Sequence, residues 1–557
     1  MLAYKLTYIK VESSMFSGNY TEKTKPDRRV QDLVNGIDGM PKIIMERKEF
    51  FDIFANEVYP RLNEELSTLS SLYSPDRGRP AENPVLLLAV CLLQFCERLP
   101  DRQAAEACQF DLRWKLALHM NLEDATFHPT LLTKFRNRLL EHSLERLAFD
   151  ICIGMLIEKG WIRRGNSQRL DSTHVHGLLA VMNRLECMRT ALKKALVTLE
   201  GIPCPPESWN AMWGEYVLGK VDFKSNVETL KKKTLEVGLA VAGVLEFFRN
   251  SPQMELPEMK LLGQIFQENY ELDETGSWSQ KPKSQPGSVQ NPHDPEAQWC
   301  TKSTTKDKSW IGYKVQVCET VSETARPRTE PTSNFITAVV TQTATGSDEA
   351  GMEKVFVQLE ENDLGRPDRL YVDGAYVSGE KLAEAEQDGR ELRGPAPPPG
   401  GRQELTSDHF QVDIEGRNAI CPAGHASTNC SRLTEDSTGN VSYRIEWNQE
   451  LCRECPCAQK CVGKNQTHRT LTVREFHMHL QKRRNEMGTK EFKEEMHRRN
   501  GIEGTQSELV RGYGMRKARY RGLSHLRMQN YFIGTACNVK RLARRMVWEQ
   551  KKDAKIS

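Results

Sequence analysis

Three acidic residues stand in contexts that suit metal-dependent chemistry on phosphate. Asp171 lies in the stretch Gln168 to Val175, Asp373 in Arg369 to Tyr376, and Glu503 in Asn500 to Thr505. The first two stretches read as short strands, where aspartate is disfavoured, so each Asp asks for a reason to be there. Aspartates at the carboxyl ends of adjacent parallel strands sit side by side, where active sites form. Two such carboxylates repel, and one takes up a proton unless a cation lies between them. Mg²⁺ suits oxygen ligands and keeps waters and phosphate oxygens in its shell. Two such ions, ~4 Å apart, activate an attacking oxygen and stabilise a leaving one. A glutamate on a helix packed against the sheet would complete the site, and Glu503 is the candidate.

Arg499 precedes Glu503 by four residues, which puts both on one helical face. Taken alone, that pair equally fits an exposed ion pair worth ~0.2–0.5 kcal/mol. Arg511, Arg516, Lys517, Arg519 and Arg521 follow, interleaved with Tyr513 and Tyr520. Gly512, Gly514 and Gly522 argue for a turn or loop there, a cationic segment beside the acids that could contact phosphates. Lys540 and Arg541 belong to a later basic helix. Residues 511–557 carry 13 Lys/Arg against 2 acids, although the whole chain has a net charge of only +3. Such a concentration suits a nucleic-acid backbone.

The elements that must position these residues follow from patterning. Residues 1–40 read as a loose leader. Residues 41–160 read as a helical N-terminal domain, with Asn83-Pro84 opening an apolar helix from Val85 to Phe95. Further helices are expected over Asp101 to Phe110 and Leu132 to Leu147. Arg113, Lys115, Lys134, Arg136 and Arg138 give that domain a basic face, either solvated or in contact with DNA. Residues 165–178 and 296–400 carry the strand signals, with a helix from Ser347 to Glu361 among them. Residues 179–295 form a helical insertion and linker. In it Leu179, Met182, Leu185, Met188, Leu192 and Leu196 make one core stripe, and Leu235, Leu239, Val244, Phe247 and Phe248 another. The Ser/Gln/Pro/Gly-rich residues 273–295 read as a flexible link. Residues 402–466 are cysteine-rich. Residues 467–548 hold the Glu503 helix, with helical patterning from Val473, then the basic segment and a closing helix from Met528 to Trp548. Residues 549–557 are a basic tail.

Of the 15 cysteines most are scattered. Cys421, Cys452, Cys455 and Cys461 have the spacing of a zinc knuckle, a structural site with four protein ligands and no open position. Cys430, Cys457 and His425 are spare candidates, and free thiols in a loop are the alternative reading.

The three acidic blocks, Leu170-Asp171-Ser172-Thr173, Tyr371 to Tyr376 and Ile502-Glu503-Gly504-Thr505, resemble those of bacterial insertion-sequence DDE transposases, most closely the insertion-sequence eleven-eighty-two group. Arg499 matches the arginine that precedes that family's glutamate. Met496 and Val510 depart from its pattern, which often has Tyr and Lys there. The resemblance spans about residues 45–548. It implies an α/β fold, an RNase-H-like mixed-sheet catalytic core with a helical N-terminal domain, a helical insertion and a small zinc-ribbon-like insertion. It implies Asp171, Asp373 and Glu503 as catalytic ligands of Mg²⁺ or Mn²⁺, and cutting and joining of double-stranded DNA at element ends and target, by a homo-oligomer assembled on DNA. A non-catalytic zinc- and DNA-binding relative, or an RNase-H-like nuclease without joining activity, are the alternatives. The presence of all three acids speaks against decay.

Composition bounds the rest. A hydrophobic share of 38% is not a disordered composition. The amino-terminal stretch lacks the apolar core of a signal peptide, and the longest apolar run, Val85 to Leu93, is too short to span a bilayer. No membrane partner is expected. The expected setting is cytoplasmic, in association with the bacterial nucleoid.

Overall fold

The computed structural model of the chain describes residues 25–36, 42–74, 81–179, 182–202, 206–220, 227–274, 276–282, 285–301, 309–322, 330–332, 334–400, 403–436 and 439–556. Of the expected leader, residues 1–24 and 37–40 lie outside these. Residues Arg28–Asn35 form a capped helix whose Val30 and Val34 are buried against Ala55 and Leu116, so this part is docked rather than loose.

The centre is a mixed sheet of six strands: β1 (Gln168–His176), β2 (Gln298–Thr301), β3 (Ser309–Thr320), β4 (Ile336–Thr343), β5 (Arg369–Tyr371) and β6 (Glu391–Arg393). β3 pairs antiparallel with β1 along its length, and its other edge is shared by β2 and β4. β5 pairs parallel with β1, and β6 parallel with β5. β1 and β5 therefore run the same way, but only Asp373 stands beyond a strand's carboxyl end: Asp171 lies within β1, two residues past its last pairing with β5 and level with Asp373. The chain is a mixed α/β protein, and this sheet is consistent with an RNase-H-like core.

Helix α1 (Pro84–Glu97) starts where Asn83 accepts from the amides of Val85 and Leu86, and its side chains from Pro84 to Cys96 are buried. Ser347 caps α2 (Asp348–Glu361) in the same way. The two long closing helices are α3 (Lys490–Tyr513) and α4 (Leu523–Ile556). Gly514, at φ 77°, ends α3 in the left-handed conformation that favours glycine. One continuous apolar core runs from the N-terminal helices through the sheet to α4. Phe95 of α1 stacks on Phe532 of α4, and Trp161 stacks on Phe335 beside the sheet. The N-terminal helices are thus part of the body that carries the sheet.

Several expectations change. Helix Thr130–Glu141 ends before Ser143, which has a positive φ, and a second helix begins at Leu147. Val473 lies in a strand, Thr470–Arg474, paired with Val441–Glu446. The helical insertion has its own core, built by Leu185, Met188, Leu192 and Leu196 against Val237, Val241, Val244 and Phe248. Leu235, Leu239 and Phe247, expected in that core, are exposed, because helix Val227–Phe247 turns its valine face inward. The expected flexible link is packed from Ser288 to Asp294, while its earlier described residues are largely exposed. Asp294 is buried and accepts from the Tyr313 hydroxyl and the Gly522 amide, while Glu296 accepts from the amide of Leu523 at the start of α4. A third small core, with Phe410, Ile445 and Trp447, holds the cysteine-rich segment.

Candidate active site

Asp171 leaves β1 on the face that receives α3. Asp373 follows β5, and its carboxylate accepts from the Ala375 amide in the turn Gly374–Tyr376. Glu503 sits in the middle of α3 and is 66% exposed. The three acids meet at Arg499. Its guanidinium lies 3.0 Å from Asp171 Oδ2, 3.7 Å from Asp373 Oδ2 and 3.4 Å from Glu503 Oε1. Carboxylates from a strand, a strand end and a helix thus converge on one cation. Tyr376 is buried beside them, and burial together with Asp348, Asp171 and Asp373 pushes its phenol well above the usual range. As they stand, no three His, Cys, Asp or Glu side chains among the described residues are arranged to hold a metal ion. The three acids meet through Arg499, not directly with each other.

Beneath this cluster lies a second one that sequence reading missed. Glu319 of β3 is fully buried. Arg169, two residues before Asp171 on β1, reaches Glu319 Oε1 at 2.6 Å and donates to the Arg498 carbonyl at 2.9 Å. The Thr505 hydroxyl, two residues beyond Glu503, is 2.8 Å from Glu319 Oε2. Arg541 of α4 completes the cluster, donating to Glu319 Oε2 at 2.9 Å, to Thr505 at 2.8 Å and to Glu508 at 2.8 Å. The available signal was a glutamate directly after the mostly apolar run Val315 to Cys318, and a glycine two residues before Glu503.

The expected DNA-contacting cations divide into two groups. Arg511, Lys517 and Arg521 are exposed around the end of α3. Arg516 instead donates to the His174 carbonyl, and burial lowers its pKa. Arg519 donates to the Leu99 carbonyl and lies over the Phe95 ring, also with a lowered pKa from burial. Lys540 donates to the Cys96 carbonyl and pairs with Glu97. Arg541 is buried in the cluster above, so it does not face DNA. Asn538 on the same helix is also buried and bonds the Ile336 amide and carbonyl of β4. A loop is expected from Gly512, but α3 continues to Tyr513 before the turn. In the N-terminal helices, Lys115 and Arg136 are likewise buried, the first on the Asn121 and Asp124 carbonyls, the second on Asp101.

Cys421, Cys452, Cys455 and Cys461 line one small cavity together with His425. The Cys421 thiol accepts from the His425 amide at 3.4 Å, in a turn where Gly424 has φ 86°. Burial pushes the Cys461 thiol up, Arg469 draws it down, and Cys452, Cys421 and Cys455 push it up again. Cys430 and Cys457, the other spare candidates, do not line that cavity. The cysteines among the described residues are free thiols.

Two family models match the chain. One, described as Transposase DDE domain, matches residues 420–543, and the other, described as Transposase domain (DUF772), matches residues 45–138. The first takes in Cys421 and the cysteines after it, Glu503 and most of α4, the second part of the N-terminal helical region; Asp171 and Asp373 lie outside both. No curated protein matches the chain. With both models matched in one chain, on either side of the mixed sheet, the matches indicate an insertion-sequence DDE transposase, a kind of enzyme that cleaves DNA and transfers its strands.

Proposed function

We propose that Asp171, Asp373 and Glu503 are the acids of this transposase, and that they hold Mg²⁺ or Mn²⁺ for phosphoryl transfer on double-stranded DNA. The observation that carries the reading is the convergence of the three carboxylates on Arg499. The donor set is all oxygen, which suits these hard cations. The guanidinium already supplies the positive charge that such a cluster demands. When bound, the metal supplies activation of the attacking oxygen and stabilisation of the leaving one.

The residues of the chain do the rest. The parallel strands β1 and β5 hold Asp171 within one and Asp373 just past the end of the other, and α3 brings Glu503 to them. Arg499 keeps the acids charged and gathered until a competing cation arrives, and is then free to turn to a DNA phosphate. Exposed Arg511, Lys517 and Arg521 contact the backbone and position it without reading sequence. The N-terminal helices, the insertion 179–295 and the cysteine-rich segment 402–466 extend the core, and a homo-oligomer on DNA is the working assembly.

We read the four cysteines as a structural zinc site. Four cysteine sulfurs line one cavity and an amide donates to one of them, the donor type that ion takes, although the side chains as they stand are not gathered as ligands. No helix among the described residues is long and apolar enough to cross a membrane.

The test is cleavage of DNA carrying the element ends. Asp171→Asn, Asp373→Asn and Glu503→Gln should each abolish cutting while DNA binding stays near that of the unmodified protein. Near-normal cutting by any of the three removes that residue from the site.

A further inference from the structure

The buried cluster around Glu319 lies between the acids and the rest of the protein, and its members are spaced to match them. Arg169 and Asp171 are two residues apart on one face of β1. Thr505 and Glu503 are two residues apart on α3, close to opposite sides of the helix. The core-facing Thr505 is held by Glu319 while Glu503 points outward. Arg169 also bonds the carbonyl of Arg498, next to Arg499. It fits against Gly501, where an added Cβ would collide with its guanidinium. Gln506 adds a bond from α3 to the Ser172 carbonyl at 3.2 Å. Every one of these contacts joins α3 to β1 or to its neighbour β3 within a few residues of an acid.

We propose that Glu319 is a positioning residue that fixes the axial register of α3 on β1, and so sets the spacing of Glu503 from Asp171 on which metal binding depends. The proposal rests on the reading of Asp171, Asp373 and Glu503 as the metal ligands. A slip of α3 by one residue would move Glu503 by about 1.5 Å along the helix and turn it by roughly 100°. The carboxylate of Glu319 opposes such a slip because Arg169 and Arg541 are both buried on it, away from solvent that could replace the bond. Gly501 allows the close approach that makes the register specific. Groups that orient metal ligands without touching the metal have effects of this kind on affinity.

The experiment measures Mn²⁺ affinity of the full-length protein, from loss of the free-ion electron paramagnetic resonance signal, counting only the binding that Asp171→Asn removes. Glu319→Gln keeps the shape and removes the charge. It should weaken that binding on the order of tenfold to a hundredfold. Asp101→Asn, which breaks the pair with Arg136 within the N-terminal helices, should leave it within about twofold, as expected for a change outside the Glu319 cluster. If Glu319→Gln does not fold, Thr505→Val decides, with a smaller loss in the same direction. Unchanged Mn²⁺ affinity in whichever of the two variants folds overturns the register proposal. Should Asp171→Asn leave all Mn²⁺ binding intact, the metal-ligand reading itself falls and the proposal falls with it.

Discussion

Arg499 Nη2 stands 3.0 Å from Asp171 Oδ2, joining the middle of a helix to a strand that precedes it by 328 residues. Both side chains are largely buried at 18% and 15% exposure, so the pair is shielded from solvent. A cation held there competes with any metal for the same carboxylate. Arg499→Met should therefore tighten Mn²⁺ binding by roughly five- to tenfold, equivalent to an ion pair of about 1 kcal/mol. Cleavage should fall at the same time, for want of a phosphate contact. Titration calorimetry measures the first effect, and weaker or equal Mn²⁺ binding in the variant would mean that Arg499 does not act as a stand-in cation.

The exposed cations Arg511, Lys517 and Arg521 should govern the salt dependence of DNA binding. Neutralising all three with glutamine should weaken binding to any sequence by a similar factor. The log–log salt slope should flatten by up to about 2.7, at ~0.9 for each phosphate that the variant no longer neutralises. A slope equal to that of the unmodified protein across a salt series would show that these side chains do not reach the backbone.

Arg541 should behave in the opposite way. Its guanidinium is 2% exposed and lies on Glu319, Glu508 and Thr505. Arg541→Gln leaves the Glu319 carboxylate buried with one cation fewer, a change worth about 3–5 kcal/mol of stability. Thermal or denaturant unfolding reads this directly. A variant as stable as the unmodified protein, but with weaker DNA binding, would return Arg541 to the DNA-contacting surface.

Zinc content tests the cysteine-rich segment. The purified, untagged chain should hold about one zinc ion, and Cys452→Ser with Cys455→Ser should remove it. Chelation should also loosen residues 402–466, read as faster proteolysis within that segment. Elemental analysis that finds no zinc would leave the cavity as a cluster of free thiols.

His477 gives a pH dependence of known sign. Its ring is buried and its pKa is lowered from 6.5, chiefly by burial, with Asp408 acting against that and Arg484 with it. The unfolded chain protonates it more readily than the folded one. Stability is therefore intact above about pH 6.5 and declines as pH falls below that value towards the folded pKa. His477→Leu should lose less melting temperature than the unmodified protein between about pH 6.5 and 5, the range over which an unperturbed histidine takes up its proton. Parallel melting curves for the two proteins over that range would assign the acid sensitivity to other groups.

The sequence by itself determined the local settings of the site. The strand around Asp171, the strand end before Asp373 and the helical spacing of Arg499 and Glu503 follow from period and propensity over a few residues. So do the caps at Asn83 and Ser347, whose side chains bond amides two or three residues away. Only the tertiary structure decided what lies under the site and which charges face water. The basic run after Glu503 reads as one cationic segment, yet Arg516 and Arg519 turn inward to carbonyls of His174 and Leu99 while Lys517 and Arg521 stay outside. A long arginine can lie along apolar surface or in solvent with equal local ease, and the element packed beside it makes the choice. The helix Val227–Phe247 shows the same limit, since apolar residues occupy more than one of its faces and its packing partners select the valine face. Glu319 is the plainest case. Nothing near it in the chain explains a buried carboxylate, because the cations that balance it come from residues 169 and 541, which only the fold brings together.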